Sequence, residues 1–85
     1  MRPTKEDMLA YLAEAQRIQT ALFGKVQMSI HCYTYGENIT IDIVLTNLAV
    51  DTQRMWTFRS FIDKEMNDEY LYSLTSYAND IHAIQ

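Results

Sequence analysis

The chain has 85 residues, the size of one domain, and a domain this small buries only about 60 to 65% of its unfolded surface. Its net charge of -4 and pI near 4.9 disfavour nucleic acid as a partner, and a single cysteine excludes an intramolecular disulfide. Charged residues interrupt the early apolar positions and no run approaches spanning length, so we expect a cytoplasmic protein with no membrane segment.

A helix is predicted from about Lys5 to Phe23. Thr4 is a suitable N-cap because its hydroxyl can accept an early backbone N–H, and acids follow in the first turn. Gly24 ends the helix, where a left-handed residue is favoured. Apolar side chains at three- and four-residue steps form the stripe that we expect to face the core: Met8, Tyr11, Leu12, Ala15, Ile18 and Leu22.

Polar and apolar side chains alternate from Lys25 to Thr46, which predicts a β-hairpin with one buried face. The expected buried set is Val26, Met28, Ile30, Cys32, Ile39, Ile41, Ile43 and Leu45. Cys32 is therefore predicted to be a small buried hydrophobe. His31 has the opposite parity, so the two side chains cannot share a metal ion or act as nucleophile and base.

The turn of the hairpin determines which residues face each other. Gly36 suits the first central position of a two-residue type II′ loop in Tyr35-Gly36-Glu37-Asn38. Closing this loop places His31 opposite Asp42. The polar set then shares the open side of the sheet, which we predict to be an interaction surface: Ser29, His31, Tyr33, Tyr35, Thr40 and Asp42.

A third strand is predicted from Arg54 to Phe58, where aromatic and β-branched residues concentrate. We expect Trp56 and Phe58 to point inward and Met55 and Thr57 to lie on the open face. The opposite assignment, with Trp56 on the open face, is the alternative.

Apolar residues recur at helical steps from about Arg59 to Ala83, which predicts a second helix with an apolar stripe. Asn67 and Asp68 favour caps over helix interiors, so a kink or a second helix start there is an alternative. The whole chain, 1–85, is thus expected to be one α+β domain of order α-β-β-β-α. Its three-stranded antiparallel meander would carry both helices on one face.

Motifs for catalysis, cofactors and metals are missing from the sequence. It contains no Gly-rich phosphate loop, nucleophile elbow or paired carboxylates, and His82 with Asp80 has no further ligand at metal-site spacing. We expect a non-enzymatic protein without cofactor or metal. His31 opposite Asp42 is the most specific polar pair, interpreted either as a pH-sensitive pair or as an exposed cross-strand contact.

The order α-β-β-β-α resembles that of double-stranded RNA-binding domains, which recognise duplex RNA by shape. That family typically carries a basic cluster at the start of its second helix and a Gly-Pro…His motif between its first two strands. Here the corresponding segments are Arg59-Ser60-Phe61-Ile62-Asp63-Lys64-Glu65 and a turn without Pro. The resemblance therefore concerns topology. RNA binding, or nucleic-acid mimicry by the acidic second helix, is the alternative function.

The preferred hypothesis is a small protein-interaction or adaptor domain, forming a homodimer through the open Tyr-rich face or a sheet edge. A second copy would cover sheet surface that a three-stranded meander leaves bare. The size, acidity and early α-β-β-β order are similar to those of small dimeric secretion chaperones of bacteria. Those chaperones are longer and contain further strands, so the similarity does not extend to a family.

Overall fold

The computed structural model describes residues 1–84 and shows two helices and three strands. The elements in chain order are α1 (Lys5–Ala21), β1 (Val26–Tyr35), β2 (Asn38–Asn47), β3 (Thr52–Arg59) and α2 (Lys64–Ile84). The strands form an antiparallel meander in the order β1-β2-β3, and the buried side chains of the sheet all lie on the face that carries the helices. This arrangement confirms the predicted α+β fold.

The first helix begins with the predicted cap. The Thr4 hydroxyl accepts from the Asp7 N–H at 3.1 Å, and the Asp7 carboxylate accepts from the Thr4 N–H at 2.8 Å. This reciprocal pair satisfies two N–H groups that the helix cannot bond internally. The helix ends at Ala21, two residues before the predicted end, because Leu22 has already left helical geometry. Gly24 adopts the expected left-handed conformation, with a φ of 85°.

The hairpin has the predicted register, with Tyr35 paired to Asn38 and His31 facing Asp42. Gly36 has a φ of 61°, and it is the only turn residue with a positive φ, as a type II′ loop requires. The register matters because a shift of one residue would move the whole apolar set to the other face.

The third strand is longer than predicted and settles the orientation of its aromatic residues. Trp56 is 6% exposed and Phe58 is 0% exposed, whereas Met55 lies on the other face and is 65% exposed. The inward assignment is therefore confirmed. These two rings join a single core that the helices and strands share: Met8, Tyr11, Ala15, Ile18, Leu22, Met28, Ile41, Ile43, Leu45, Leu74, Ala78 and Ile81.

The second helix begins at Lys64, five residues later than predicted. Ser60 is held beside β2 instead: its N–H donates to the Ile39 carbonyl at 2.9 Å, and its hydroxyl accepts from the Ile39 N–H at 2.8 Å. These bonds extend the sheet by one residue and keep Ser60 out of a helix. From Lys64 onward α2 is continuous, with no break at Asn67 and Asp68.

Asn67 is fully buried and bonds to the outer edge of β3. Its side-chain oxygen accepts from the Arg59 N–H at 3.0 Å, and its amide nitrogen donates to the carbonyls of Arg59 at 3.0 Å and Asp63 at 3.1 Å. The side chain thereby supplies the bonds that a further strand would make. This role explains why a residue of low helix propensity lies inside α2.

The two helices lie side by side and point in the same direction. Near their starts the Tyr11 hydroxyl donates to the Asp68 carboxylate at 2.8 Å, and farther along the Thr75 hydroxyl donates to the Glu14 carboxylate at 3.1 Å. The Tyr11 ring also stacks on Phe58, with ring centroids 5.0 Å apart. Tyr11 therefore connects α1, α2 and the sheet.

Replacing Asp68 with Asn is expected to weaken the domain at neutral pH and to make little difference in acid. Hydrogen bonds from Lys64, at 2.6 Å, and from Tyr11 hold the pKa of Asp68 below its usual value. A depressed folded-state pKa stabilises the fold above the unfolded value of about 4, and this contribution disappears as the pH falls through the folded value. Urea unfolding of both proteins at neutral and acidic pH measures the difference.

The matched control is Asp80→Asn, an exposed carboxylate on the same helix. It should change stability little at either pH. An Asp68→Asn effect of equal size at both pH values would contradict a contribution from the ionised carboxylate.

Candidate interaction surface

One side of the sheet carries no helix, and we call it the open face. Strand alternation and the observed register place on it Gln27, Ser29, His31, Tyr33, Tyr35, Asn38, Thr40, Asp42, Val44, Thr46, Gln53, Met55, Thr57 and Arg59. Every one of these residues is exposed or half-buried. Within residues 1–84, no element packs across this side.

All six predicted surface residues lie on the open face, in neighbouring rows. Tyr33 faces Thr40, and His31 faces Asp42 in the row beside them. The other two flank these rows: Ser29 lies toward the start of β1, and Tyr35 lies at the turn. The structure therefore brings the predicted set together as one continuous strip.

Asp42 is the centre of the polar contacts on this face. Its carboxylate accepts from the Thr57 hydroxyl at 2.8 Å and from the Tyr33 hydroxyl at 3.1 Å. His31 faces Asp42 across the strands, but these two hydroxyls supply the hydrogen bonds in the described chain. A long tyrosine side chain reaches its diagonal neighbour in an antiparallel pair, which explains why Tyr33 bonds to Asp42 rather than to Thr40.

Thr57 lies on the open face as predicted, although it was not included in the six-residue interaction surface. Thr57 has the parity opposite to Trp56 and Phe58, so it belongs on the open face once those rings point inward. Its partner depends on the register between β2 and β3, in which Asp42 faces Thr57. The sequence predicts a turn at Asp51-Thr52 but not this register, which follows from the Asp51 N–H donating to the Asn47 carbonyl at 2.8 Å.

Replacing Asp42 with Asn is expected to lower the pKa of Tyr33. The hydrogen bond to Asp42, followed by burial and the charge of that carboxylate, holds the Tyr33 pKa above its usual value of about 10. Removing the charge favours the phenolate. Titration of the Tyr33 ring followed by NMR measures the change.

Thr57→Val is the control for this measurement, since it removes the second donor and leaves the carboxylate of Asp42 in place. The Tyr33 pKa should stay raised in that variant. A Tyr33 titration that is the same in Asp42→Asn and in the original chain would contradict the contact.

The open face is nearly neutral although the chain is acidic. Its formally charged side chains are Asp42 and Arg59, which balance, while the chain as a whole carries a net charge of -4. Broad amphipathic or apolar side chains are well exposed there: Tyr33 at 53%, Tyr35 at 87% and Met55 at 65%. A neutral face with exposed tyrosines and methionine has the composition that protein interfaces favour.

The two edges of the sheet differ in what covers their outward backbone groups. At β3, Asn67 occupies the outward backbone groups of Arg59. At β1, the Val26 N–H donates to the Leu22 carbonyl at 3.3 Å, and the Gln19 side chain donates to the Met28 carbonyl at 3.0 Å. The end of α1 therefore covers the first part of the β1 edge.

Beyond Met28 the edge of β1 is uncovered. The Leu48 N–H donates to the Lys25 carbonyl, so Lys25 and Leu48 form a hydrogen-bonded pair. Bonded and non-bonded pairs alternate along an antiparallel ladder, so the odd-numbered residues of β1 bond to β2. The even-numbered residues direct their backbone groups outward. Outward groups therefore occur at Ile30, Cys32 and Thr34. None of them has a hydrogen bond on the outer side within the described chain.

The prediction that Cys32 is buried is wrong, because its side chain is exposed. Cys32 does have the parity of the core residues and faces Ile41. However, Cys32 lies on the edge strand, and the helices at this level cover its row neighbours instead: Ile41 is buried, and the Phe58 ring beyond it stacks on Tyr11 of α1. Coverage of β1 stops near Ile30, which is half-buried and packs against the core.

The described residues contain neither a metal-binding cluster nor a membrane-spanning helix. No group of three or more His, Cys, Asp or Glu side chains there could hold a metal ion. No helix within residues 1–84 combines the length and apolar character needed to cross a membrane. Comparison of the chain with protein-family models, with curated proteins and with solved structures gave no match.

Proposed function

We propose that this chain is a non-enzymatic protein-interaction domain that associates with itself through its exposed sheet. The observation that supports this most directly is the open face, which is uncovered and carries balanced charges in an acidic protein. A second copy that joins this sheet meets little like-charge repulsion, and the exposed tyrosines and methionine give the sheet the composition of an interface.

The size of the domain favours such a contact. A chain of 85 residues buries a smaller fraction of its surface than a larger domain does, so its own core gives limited stability. Association with a second copy therefore adds a substantial part of the total stability. The single cysteine supports a reducing compartment, and we place the protein in the cytoplasm on that ground.

The positions of the basic side chains support a protein partner over a nucleic acid. Arg17 is paired with Glu14, and Lys64 is paired with Asp68. Arg54 lies over the Tyr77 ring, 4.9 Å from its centroid. Binding to a phosphate backbone depends on clustered cations, whereas these three lie on different elements and each already has a partner.

The start of α2 also favours a protein partner over a nucleic acid. Double-stranded RNA-binding domains carry their basic cluster there, whereas this helix start has Asp63 and Glu65 around Lys64. Duplex RNA binding is therefore the second candidate, supported by the order of the elements alone.

Sedimentation over a range from about 1 µM to about 1 mM tests the proposal, since these concentrations bracket weak and moderate dimers. We expect the mass to rise from the 10.0 kDa of one chain toward twice that value, and the melting temperature to rise with concentration. A protein that stays monomeric throughout would overturn the proposal. A short RNA duplex added at low salt should leave the sedimentation unchanged, and salt-sensitive binding would favour the alternative instead.

A further inference from the structure

We propose that the uncovered half of β1 pairs with the same strand of a second copy. The pairing is antiparallel about a two-fold axis at Cys32, and it joins two three-stranded sheets into one sheet of six strands. This inference rests on the self-association proposed above and specifies its contact.

The backbone of β1 supplies the first argument. Ile30, Cys32 and Thr34 direct their N–H and C=O groups away from β2 and have no bond on the outer side within residues 1–84. Such a row of unpaired groups is the template that another strand recognises. Antiparallel pairing with a second copy satisfies the same groups on both chains at once.

The side chains of β1 supply the second argument. Natural edge strands are usually protected by charged residues, proline or a bulge. From Val26 to Tyr35 there is no Lys, Arg, Asp, Glu or Pro, and the register with β2 is unbroken across the whole strand. The β3 edge differs, since it contains Arg54 and Arg59 and is capped by Asn67.

The ends of the uncovered stretch determine the register. Gln19 covers the edge at Met28, and the turn residue Gly36 lies at the other end. Cys32 is midway between Met28 and Gly36 along the chain. Centring the two-fold axis on Cys32 therefore aligns the whole uncovered stretch with its copy, and Ile30 faces the partner's Thr34.

The pairs in this register are compatible on both faces. On the open face His31 lies opposite the partner's Tyr33, and no like charges meet. The six strands then present one continuous open face, twice as wide as that of a single copy.

Net charge gives a way to distinguish this contact from nucleic-acid binding. Both copies carry a charge of -4, so salt screens their mutual repulsion and should strengthen the dimer slightly. Binding to a phosphate backbone responds in the opposite direction and weakens with salt.

The test compares Cys32→Lys with Met55→Lys in sedimentation under reducing conditions. Both positions are exposed, so both variants should keep the fold. Cys32→Lys places two like charges at the axis, and we expect the dissociation constant to rise at least about tenfold. Met55→Lys changes the open face on β3, the strand farthest from the β1 edge, and should leave dimerisation within about twofold.

Cys32→Ser serves as the matched control, because it removes the thiol without adding charge. It should dimerise like the original chain, which also excludes a disulfide-linked dimer. Amide hydrogen exchange provides a direct measurement: the Ile30, Cys32 and Thr34 N–H groups should become protected as concentration rises.

The outcomes separate this inference from the proposed function. A dimer that Met55→Lys dissociates and Cys32→Lys does not would overturn edge pairing and leave self-association through the open face in place. Unprotected amides in β1 of a dimer would likewise overturn edge pairing. An original chain that is monomeric throughout would overturn both proposals.

Discussion

Phe58→Ala is expected to reduce the free energy of unfolding by about 3 to 5 kcal/mol, the range for removing a fully buried aromatic ring. Phe58 is 0% exposed, faces Ile41 within the sheet, and stacks on Tyr11 of α1. Its removal leaves a cavity where both helices meet the sheet. Urea unfolding followed by circular dichroism measures the loss.

The size of this effect is comparable with the total stability of the domain, which is about 4 to 13 kcal/mol for a chain of this length. The Phe58→Ala variant is thus expected to be only marginally folded. Phe58→Leu removes less of the side chain, so its smaller loss of stability can be measured even if Phe58→Ala does not fold. Phe61→Ala is the control, since that ring is 41% exposed. Equal losses at positions 58 and 61 would contradict the packing.

Asn67→Ala is expected to cost about 2 to 4 kcal/mol, although the substitution improves helix propensity. It removes three hydrogen bonds and leaves the Arg59 N–H without a partner, while the carbonyls of Arg59 and Asp63 keep their bonds from backbone N–H groups. The penalty comes chiefly from this unpaired N–H and from the lost bonds to the two carbonyls. Thermal and urea unfolding measure it.

Asn79→Ala is the matched control, because Asn79 lies on the same helix and is exposed. It should be neutral or slightly stabilising. Asn67→Asp tests the acceptor and donor roles of the side chain separately. It keeps an acceptor for the Arg59 N–H, but it places a carboxylate against two carbonyls in place of the donor. A near-neutral effect of Asn67→Ala would show that the cap contributes little.

The elements and the hairpin register could be predicted because they depend on local rules. Alternation gives the parity of each strand, and Gly36 then permits one compact closure of the turn. The end of α1 was missed by two residues because Leu22 leaves helical geometry before Gly24. The start of α2 was missed by five, since the hydrogen bonds between Ser60 and Ile39 connect distant parts of the chain. Local propensity carries no information on such bonds.

The sequence predicted which residues lie on the open face, but not which of them bond to each other. Parity placed the six residues on the open face, yet the partners of Asp42 depend on a diagonal reach from Tyr33 and on the register of β3. Cys32 shows the same distinction. Alternation tells which side of a sheet a residue occupies, and it does not tell how far the helices extend over that side.

The cap at Asn67 also bears on how large an assembly this chain can build. A sheet with two long open edges can add copies at both ends and grow into a fibre. Here β3 carries two arginines and Asn67 occupies the outward groups of Arg59, whereas β1 has no charged residue, so a two-fold pairing consumes the unprotected strand on both copies. The assembly then closes at two subunits. The arginines and the buried asparagine at the other edge would thereby separate a finite complex from open-ended polymerisation.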